Sequence, residues 1–345
     1  MRSAVLRAGQ MVVADDVADP VPEFGQVLVE VKACGICGSD LHFAKHGSTM
    51  VELIAQMRGT PDLGVPRVDL SRDVFMGHEF AAEVLDVGPG TEAPAPGTLV
   101  TSVPIMVSAT GIADLAYSNL LPAGYSERML LAAPLVLPVP NGLDARRAAL
   151  TEPMAVGLHA VNRSAIAPGE GAVVLGCGPV GIAVIAALVQ RGVEPIVAAD
   201  FSPMRRSLAS TMGAHHVVDA GQEDVFDAWA THGGSRPLVV FEAVGVPGVI
   251  DSAFRAAPSK SRVVVVGVCM GGDTVTPFWA ITKELSVHFA FGYDLDEFAG
   301  SLRAIAEGAV DVAPMITGEV GLDGVAGAFA DLGQPEQHCK ILVTA

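Results

Sequence analysis

The stretch Leu175-Gly176-Cys177-Gly178-Pro179-Val180-Gly181 decides the fold of the second half of this chain. It follows the apolar strand sequence Ala172–Leu175, and a helix is predicted directly after it, over Gly181–Arg191. A G-x-G-x-x-G pattern between a strand and a helix permits a tight turn, close approach of the backbone to a pyrophosphate and close helix packing. The residues predicted to bind a dinucleotide are therefore Gly176, Gly178, Pro179, Val180 and Gly181.

An acidic residue at the end of the next predicted strand bears on which dinucleotide binds. Asp200 lies 24 residues after Gly176, where a carboxylate accepts hydrogen bonds from both ribose hydroxyls and repels a 2′-phosphate. This position favours NAD. Arg205 and Arg206 stand close by and keep NADP as the alternative, with Arg205 counted among the predicted cofactor-binding residues. A glycine turn without any cofactor is the remaining interpretation.

Strands and helices alternate on both sides of this motif. The predicted strands Pro195–Ala199, Leu238–Glu242 and Arg262–Val268 are separated by helices, which is typical of a doubly wound parallel sheet. Residues 1–153 instead read as short strands with glycine and proline turns, an antiparallel β-rich domain. The predicted organisation is therefore α/β plus β, with domains at 1–153 and 154–291 and a segment, 292–345, that returns to the first domain.

Composition excludes several classes of protein. The chain has 345 residues, of which 50% are hydrophobic and 17% charged, enough apolar material for two cores. A formal net charge of −17 opposes a nucleic-acid partner. No apolar run reaches the roughly 18 residues that cross a bilayer, and no signal-peptide pattern is recognised. Five scattered cysteines argue against a disulfide framework, so a cytoplasmic protein with free or metal-bound thiols is expected.

Four residues form a candidate metal-ligand set: Cys37, His78, Glu79 and Glu152. Zinc takes thiolate, imidazole and carboxylate ligands, and a catalytic site leaves one position open. One thiolate and one glutamate neutralise Zn²⁺, whereas a second direct carboxylate would oppose a bound alkoxide. Cys37, His78 and one glutamate are therefore the expected resting ligands, and the other glutamate lies behind the metal or exchanges with it. Each residue taken alone is more often a packing residue.

The segment 43–75 between the first two ligand-bearing stretches is predicted to be a long loop. Only Met50–Met57 has a weak helical pattern, and the glycines and prolines of 59–66 interrupt it. The segment is a candidate lid or substrate wall, or else a surface excursion that packs on itself.

The motifs Gly35–His42, Gly77-His78-Glu79, Glu152-Pro153 and Gly176–Gly181 together resemble the zinc-dependent medium-chain alcohol dehydrogenases, and the sorbitol, butanediol and threonine dehydrogenase branch most of all. The resemblance implies a GroES-like catalytic domain, a Rossmann domain and an active site in the cleft between them. It also implies that Cys37, His78 and Glu152 are zinc ligands and that Glu79 is the acid beside the histidine. Ser39 would be the hydroxyl that bonds the substrate oxygen, and His42 the outer base of a proton relay. Cys34 matches no ligand and is expected to be a packed thiol.

Three features depart from the family pattern. Ala82 replaces a glycine of the zinc signature, the 43–75 segment is lengthened, and no cysteine lies between Glu79 and Glu152. Since the four cysteines of the family's structural-zinc lobe are missing, one catalytic zinc per subunit and no structural zinc are expected.

The implied function is reversible hydride transfer between an alcohol and NAD through a zinc alkoxide. The alternatives are a zinc-free quinone or enoyl-type reductase on the same fold, and a nucleotide-binding protein without catalysis. The apolar residues Val103–Met106 favour a secondary or aromatic alcohol over a polyol. The expected partners are this small molecule and further copies of the chain, because the resemblance implies a homodimer or homotetramer paired through 263–268 and 278–289.

Overall fold

Strands dominate residues 1–140 of the structure, a computed structural model that describes residues 1–57, 68–108, 111–334 and 336–344. The longest strand buries alternate residues, as the two-residue period of a half-covered sheet requires. In chain order the strands are β1 (Ser3–Arg7), β2 (Gln10–Ala14), β3 (Gln26–Gly35), β4 (Val74–Met76), β5 (Glu79–Val87), β6 (Leu99–Ser102), β7 (Ile105–Ser108), β8 (Gly111–Asp114), β9 (Tyr117–Ser118), β10 (Arg128–Ala132) and β11 (Val136–Pro138).

The central strands of the Rossmann half are buried almost continuously, because helices cover both faces of a parallel sheet, whereas the two edge strands are partly exposed. They are β12 (Gly171–Leu175), β13 (Ile196–Asp200), β14 (His216–Asp219), β15 (Leu238–Glu242), β16 (Arg262–Val265) and β17 (Ser286–Phe289). Two further strands follow, β18 (Ile316–Val320) and β19 (Lys340–Val343).

Helices begin in the first half and continue through the second. They are α1 (Gly38–Gln56), α2 (Ala145–Ala148), α3 (Thr151–Ser164), α4 (Pro179–Gln190), α5 (Pro203–Thr211), α6 (Val225–His232), α7 (Val249–Ala256), α8 (Pro277–Thr282), α9 (Leu295–Ala306) and α10 (Val325–Leu332), with 3₁₀ turns at Ala133–Leu135, Ala313–Met315 and Leu322–Gly324. Of the described helices, none has the length and apolarity needed to cross a bilayer.

Two larger sheets organise the molecule. The first has the order β11-β6-β5-β3-β19-β18, with β10 also paired to β3; a smaller sheet, β2-β1-β4-β9, and the hairpin β7-β8 accompany it. The second sheet has the order β14-β13-β12-β15-β16-β17, and its strands are parallel. This is the doubly wound arrangement expected from the sequence, in which the carboxyl ends of β12 and β13 meet at one edge.

The strand β19 joins residues far apart in the chain, because it pairs with the carboxyl end of β3 through Leu342↔Gly35 and Val343↔Cys34. The predicted domain boundary at 153–154 falls inside α3, which packs on α4 and α9. The position of that boundary stays a prediction.

The prediction of a loop over 43–75 is wrong for residues 43–56, which belong to α1. The helix is started by a capping box, in which the Cys37 backbone N–H donates to the Asp40 carboxylate at 3.0 Å. Phe43 is buried, and the helix bends at His46. Gly47, which weakens a helix by about 1 kcal/mol relative to alanine, obscures this helix in the sequence. Residues 58–67, on which the lid prediction partly falls, lie outside the described residues.

Candidate functional site

The end of β3 and the start of α1 place the first candidate ligand. Cys37 is the N-cap residue of α1, and its backbone is fixed by the bond to Asp40. Gly35 lies against the carboxylate of Glu79, since a Cβ at Gly35 would lie 2.0 Å from Glu79 Oε2. Only glycine therefore allows β3 and β5 to approach here, and this approach brings Cys37 close to the second candidate ligand stretch.

His78 and Glu79 stand at the start of β5. Gly77 before them has φ = +102°, a conformation that favours glycine. One ligand atom each from Cys37, His78 and Glu79 lies within 4.8 Å of the others. The structure thus brings together three of the four predicted metal-site residues, and the thiol, imidazole and carboxylate are the donor types that zinc prefers.

Asp40 orients this cluster from behind. Its Oδ2 accepts hydrogen bonds from the Tyr125 hydroxyl at 2.6 Å and from the Cys37 N–H, while its Oδ1 lies 3.5 Å from His78 Nδ1. The Nε2 of His78 is the nitrogen that faces Ser39 Oγ, at 3.4 Å. A carboxylate behind one imidazole nitrogen leaves the other nitrogen free for a metal.

Glu79 forms a buried ion pair with Lys340 of β19. Lys340 Nζ lies 2.7 Å from both carboxylate oxygens and also donates to the Ile36 carbonyl at 3.0 Å. Both side chains are almost fully buried. Burial lowers the pKa of Lys340, but Glu79 and Cys37 raise it more, so the ammonium stays charged.

Glu152 lies beside this group, in the first turn of α3, but does not belong to the three residues whose ligand atoms lie closest together. Its carboxylate lies next to the hydroxyl of Tyr293, a residue that precedes α9. Burial raises the pKa of Glu152 to about 7, with Glu79 adding to the shift and His78 opposing it.

Ser39 and His42 lie one helical turn apart on α1, so they share a face of that helix. Burial, His46 and Lys45 lower the pKa of His42. The described residues show Ser39 bonded to His78 and show no hydrogen bond between Ser39 and His42. Cys34 is buried in the core beside β19, and burial raises the pKa of its thiol well above the ordinary value, as fits a packed thiol.

The dinucleotide motif has the predicted strand–turn–helix context. Gly176 follows β12 with φ = +89°, and α4 begins at Pro179 and Val180. A Cβ at Gly181 would lie 1.9 Å from the Gly176 carbonyl oxygen, so this glycine permits the close packing of α4.

Asp200 and Arg205 complete this side of the site. The Asp200 carboxylate accepts hydrogen bonds from the N–H groups of Cys177 and Ser202, both at 2.8 Å. Arg205 Nη1 lies 3.9 Å from Asp200 Oδ2 and next to Gly178. Arg206 turns away, because it bonds the Asp200 and Phe201 carbonyls and pairs with Asp219 at 2.9 Å.

The sequence argument missed Asp40, Tyr117, Tyr125, Tyr293 and Lys340. Asp40 had a signal, since an acid three residues after a helix start forms a capping box. Lys340 had another, a lone charge at the start of a strand that is otherwise apolar. No pattern in the sequence indicated a role for the three tyrosines. The substrate hint from 103–106 is weakened, because Val103 and Met106 are buried core residues.

The residues present fit a divalent cation. Thiol, imidazole and carboxylate converge, and the cluster holds more acidic groups than the one ammonium of Lys340 neutralises. Their charge raises the pKa of His78 well above its usual range against the effect of burial, which shows a negative potential at this point.

Comparisons with known proteins agree with this geometry. Residues 23–141 match the alcohol dehydrogenase GroES-like domain, and residues 179–307 match the zinc-binding dehydrogenase family. The (R,R)-butanediol dehydrogenase of Bacillus subtilis (strain 168) is 32% identical over 341 residues, which cover 95% of each chain. The chain belongs to the zinc-dependent medium-chain alcohol dehydrogenases.

Solved structures confirm the fold of this dehydrogenase. The crystal structure of 2R,3R-butanediol dehydrogenase from Bacillus subtilis has a TM-score of 0.83 at 30% identity and covers 100% of this chain and 99% of its own. A zinc-binding dehydrogenase of Sinorhizobium meliloti 1021, solved with NADP bound, has a TM-score of 0.82 at 26% identity over 100% and 99% of the two chains. The predicted GroES-like and Rossmann folds are confirmed, and the enzyme is an oxidoreductase that acts on CH–OH groups with a nicotinamide cofactor.

Proposed function

We propose that this enzyme oxidises a secondary alcohol reversibly with NAD⁺, using one zinc held by Cys37, His78 and Glu152. The observation that carries the proposal is the convergence of the Cys37 thiol, the His78 imidazole and the Glu79 carboxylate beside Ser39. The name of the 32% identical relative, a butanediol dehydrogenase, supports a secondary alcohol as substrate.

Glu152 is the better candidate for the third ligand. Both oxygens of Glu79 accept from Lys340 Nζ at 2.7 Å, and a carboxylate that left this buried partner would strand the ammonium. Glu152 instead lies next to the neutral hydroxyl of Tyr293, so it has no buried cation to leave. Glu79 then lies behind the metal, and its charge is neutralised by Lys340.

The chain's own residues position the alcohol and move its proton. A bound zinc supplies Lewis acidity, which lowers the pKa of an alcohol on it. Ser39 Oγ, 3.4 Å from His78 Nε2, is placed to accept the hydroxyl proton of the alcohol. His42, one turn further along α1, is proposed as the outer acceptor of this proton; because its pKa is lowered, the imidazole is mostly neutral at pH 7 and has a nitrogen free to take up a proton. The motif Gly176–Gly181 would hold the nucleotide, which would supply the hydride-transfer chemistry.

NAD is the proposed cofactor. The Asp200 carboxylate stands at the end of β13, where the adenosine ribose is expected, and its charge opposes a 2′-phosphate. Arg206, which could have bound that phosphate, is already paired with Asp219. Arg205 beside Gly178 is proposed to bind the pyrophosphate.

The test combines elemental analysis with kinetics. Wild type is expected to hold one zinc per subunit and to reduce NAD⁺ faster than NADP⁺ with secondary alcohols. Cys37→Ala should lose the zinc and the activity, whereas the matched control Cys269→Ala, a thiol that lies outside the site, should keep both. Zinc retained in Cys37→Ala would refute the ligand set. A zinc-free wild type that binds a nicotinamide cofactor would point to the reductase alternative.

The proton relay has its own variant. Ser39→Ala is expected to lower turnover at neutral pH by about 10²-fold while the zinc content stays the same, because the hydroxyl that carries the proton is gone. Unchanged turnover at full zinc content would refute the relay.

We also propose a homodimer formed through β17. This strand is at the edge of the Rossmann sheet; Phe289 on it is 68% exposed, and Ile281 of α8 is 73% exposed. An open strand edge with apolar neighbours is a site for pairing with a second copy. Sedimentation equilibrium of the purified enzyme measures its mass in solution.

A further inference from the structure

The three tyrosines of this chain all lie around the candidate metal site. Tyr125 donates to Asp40 at 2.6 Å, and the Tyr293 hydroxyl lies next to the Glu152 carboxylate. Tyr117 differs, because among the described residues its buried hydroxyl has no hydrogen-bond partner of acceptable geometry. Two of the phenols thus face protein carboxylates, and the third has no such partner in the part of the chain that the structure describes.

Tyr117 is held rigidly beside the reaction centre. It lies on β9, where its backbone pairs with Met76, two residues before His78. Its ring stacks on Phe43 with 4.3 Å between centroids, and its centroid lies 6.1 Å from that of His78. The polar neighbour of its hydroxyl is Ser39, the residue proposed to hold the reacting oxygen.

A buried hydroxyl without a hydrogen-bond partner destabilises the protein unless a partner arrives. Burial raises the pKa of Tyr117 well above its usual range, so the phenol keeps its proton and is a hydrogen-bond donor at neutral pH. A substrate oxygen that entered next to the one bound at Ser39 would meet this donor.

We propose that the Tyr117 hydroxyl binds a second oxygen of the substrate, on the carbon next to the reacting one. Tyr117 then selects vicinal diols and hydroxyketones over alcohols with a single oxygen. This inference rests on the proposed function and narrows its substrate class. It also revises the preference for an apolar alcohol that the sequence suggested, because that preference overlooked the Tyr117 hydroxyl beside the candidate metal site.

The test compares two alcohols that differ by one hydroxyl, 2,3-butanediol and 2-butanol. In Tyr117→Phe, kcat/KM for the diol is expected to fall about 10-fold, as for the loss of one buried hydrogen bond. With 2-butanol it should stay within about twofold, because that alcohol has no oxygen for Tyr117. The dissociation constant of the diol from the enzyme–NADH complex, measured by NADH fluorescence, should rise by a similar factor.

Tyr125→Phe is the matched control. Its hydroxyl acts on Asp40 and through it on His78, so this variant is expected to lower kcat/KM for both alcohols by the same factor. An equal loss for both alcohols in Tyr117→Phe, with no change in diol binding, would overturn the inference. A lower free energy of unfolding in Tyr117→Phe, at unchanged selectivity, would likewise overturn it by assigning the hydroxyl to the protein.

The inference and the proposed function fail in different ways. If zinc-loaded wild type oxidises neither alcohol, the proposed function fails for secondary alcohols. The fluorescence measurement still decides the inference, because diol binding that Tyr117→Phe leaves unchanged contradicts it whether or not the alcohol reacts.

Discussion

The nucleotide loop and the metal cluster are built in opposite ways. The loop and its acid come from one continuous stretch, from β12 to α5, in which Gly176, Gly181, Asp200 and Arg205 follow each other in the chain. The metal cluster is assembled from separate places, with Cys37, His78, Glu152, Tyr293 and Lys340 on different elements or connections. The ion pair between Glu79 and Lys340 spans 261 residues.

The two parts therefore depend on different features of the structure. The loop depends on local backbone conformation, since a strand, a left-handed glycine and a helix start define it. The cluster depends on tertiary packing, since β3, β5 and β19 must pair in register before its charges meet. Changes in one part are therefore expected to leave the other intact, and the following predictions test that separation.

The largest effect is expected at Lys340. Lys340→Met leaves the Glu79 carboxylate buried without a cation, which costs about 3–5 kcal/mol of unfolding free energy. Chemical denaturation of metal-free enzyme measures this loss, and the double variant Glu79→Leu/Lys340→Met should recover most of it. NADH affinity should stay within about twofold, because the nucleotide loop lies on other elements. A loss in the double variant as large as in the single one would show that the ion pair is not the cause.

A smaller effect is expected in the loop. Gly181→Ala places a Cβ 1.9 Å from the Gly176 carbonyl oxygen, so α4 has to move, at a cost of about 1–3 kcal/mol. The NADH dissociation constant should rise at least 10-fold, and the zinc content should not change. The control Gly300→Ala, where an added methyl meets no atom within 4 Å on helix α9, should leave both values as in wild type. Loss of zinc in Gly181→Ala would contradict the separation of the two parts.

A third prediction concerns how the unfolding free energy changes with pH. Burial raises the pKa of Asp114, at the end of β8, from 3.8 to about 6. Since the folded pKa lies above the unfolded one, ionisation of Asp114 destabilises the fold, increasingly as the pH rises from 3.8 to 6. Asp114→Asn should therefore raise the unfolding free energy at pH 8 by about 3 kcal/mol, and by little at pH 4. The same gain at both pH values would exclude a charge effect.

The same contrast explains what could be predicted from the sequence. The strand Leu238–Glu242 is found with its predicted bounds, and the helix after Gly178 begins two residues earlier than predicted, at Pro179. Local pattern suffices in this half because buried parallel strands and amphipathic helices have distinct periods. The first half of α1 was not recognised, because its start depends on the Asp40 cap and its burial on a contact between Phe43 and Tyr117, which lies far along the chain.

The sequence indicated the candidate ligand residues of the metal cluster but not the residues that contact them. Cys37, His78 and Glu79 come together as their chemistry indicated. The partners that decide their roles, Lys340 for Glu79 and Tyr293 for Glu152, are set by long-range pairing that no local pattern reports. Whether Glu152 is the resting ligand stays a prediction.

The pairing of β19 with β3 also sets an order in time. A ribosome adds about 5–20 residues per second, so Lys340 is made about 13 to 50 seconds after Glu79, from which it is separated by 261 positions. During that interval all strands of the Rossmann sheet are made, whereas Glu79 still lacks Lys340, its cation in the folded enzyme. The nucleotide-binding half is therefore synthesised in full before the sheet that contains β3, β5 and β19 can close.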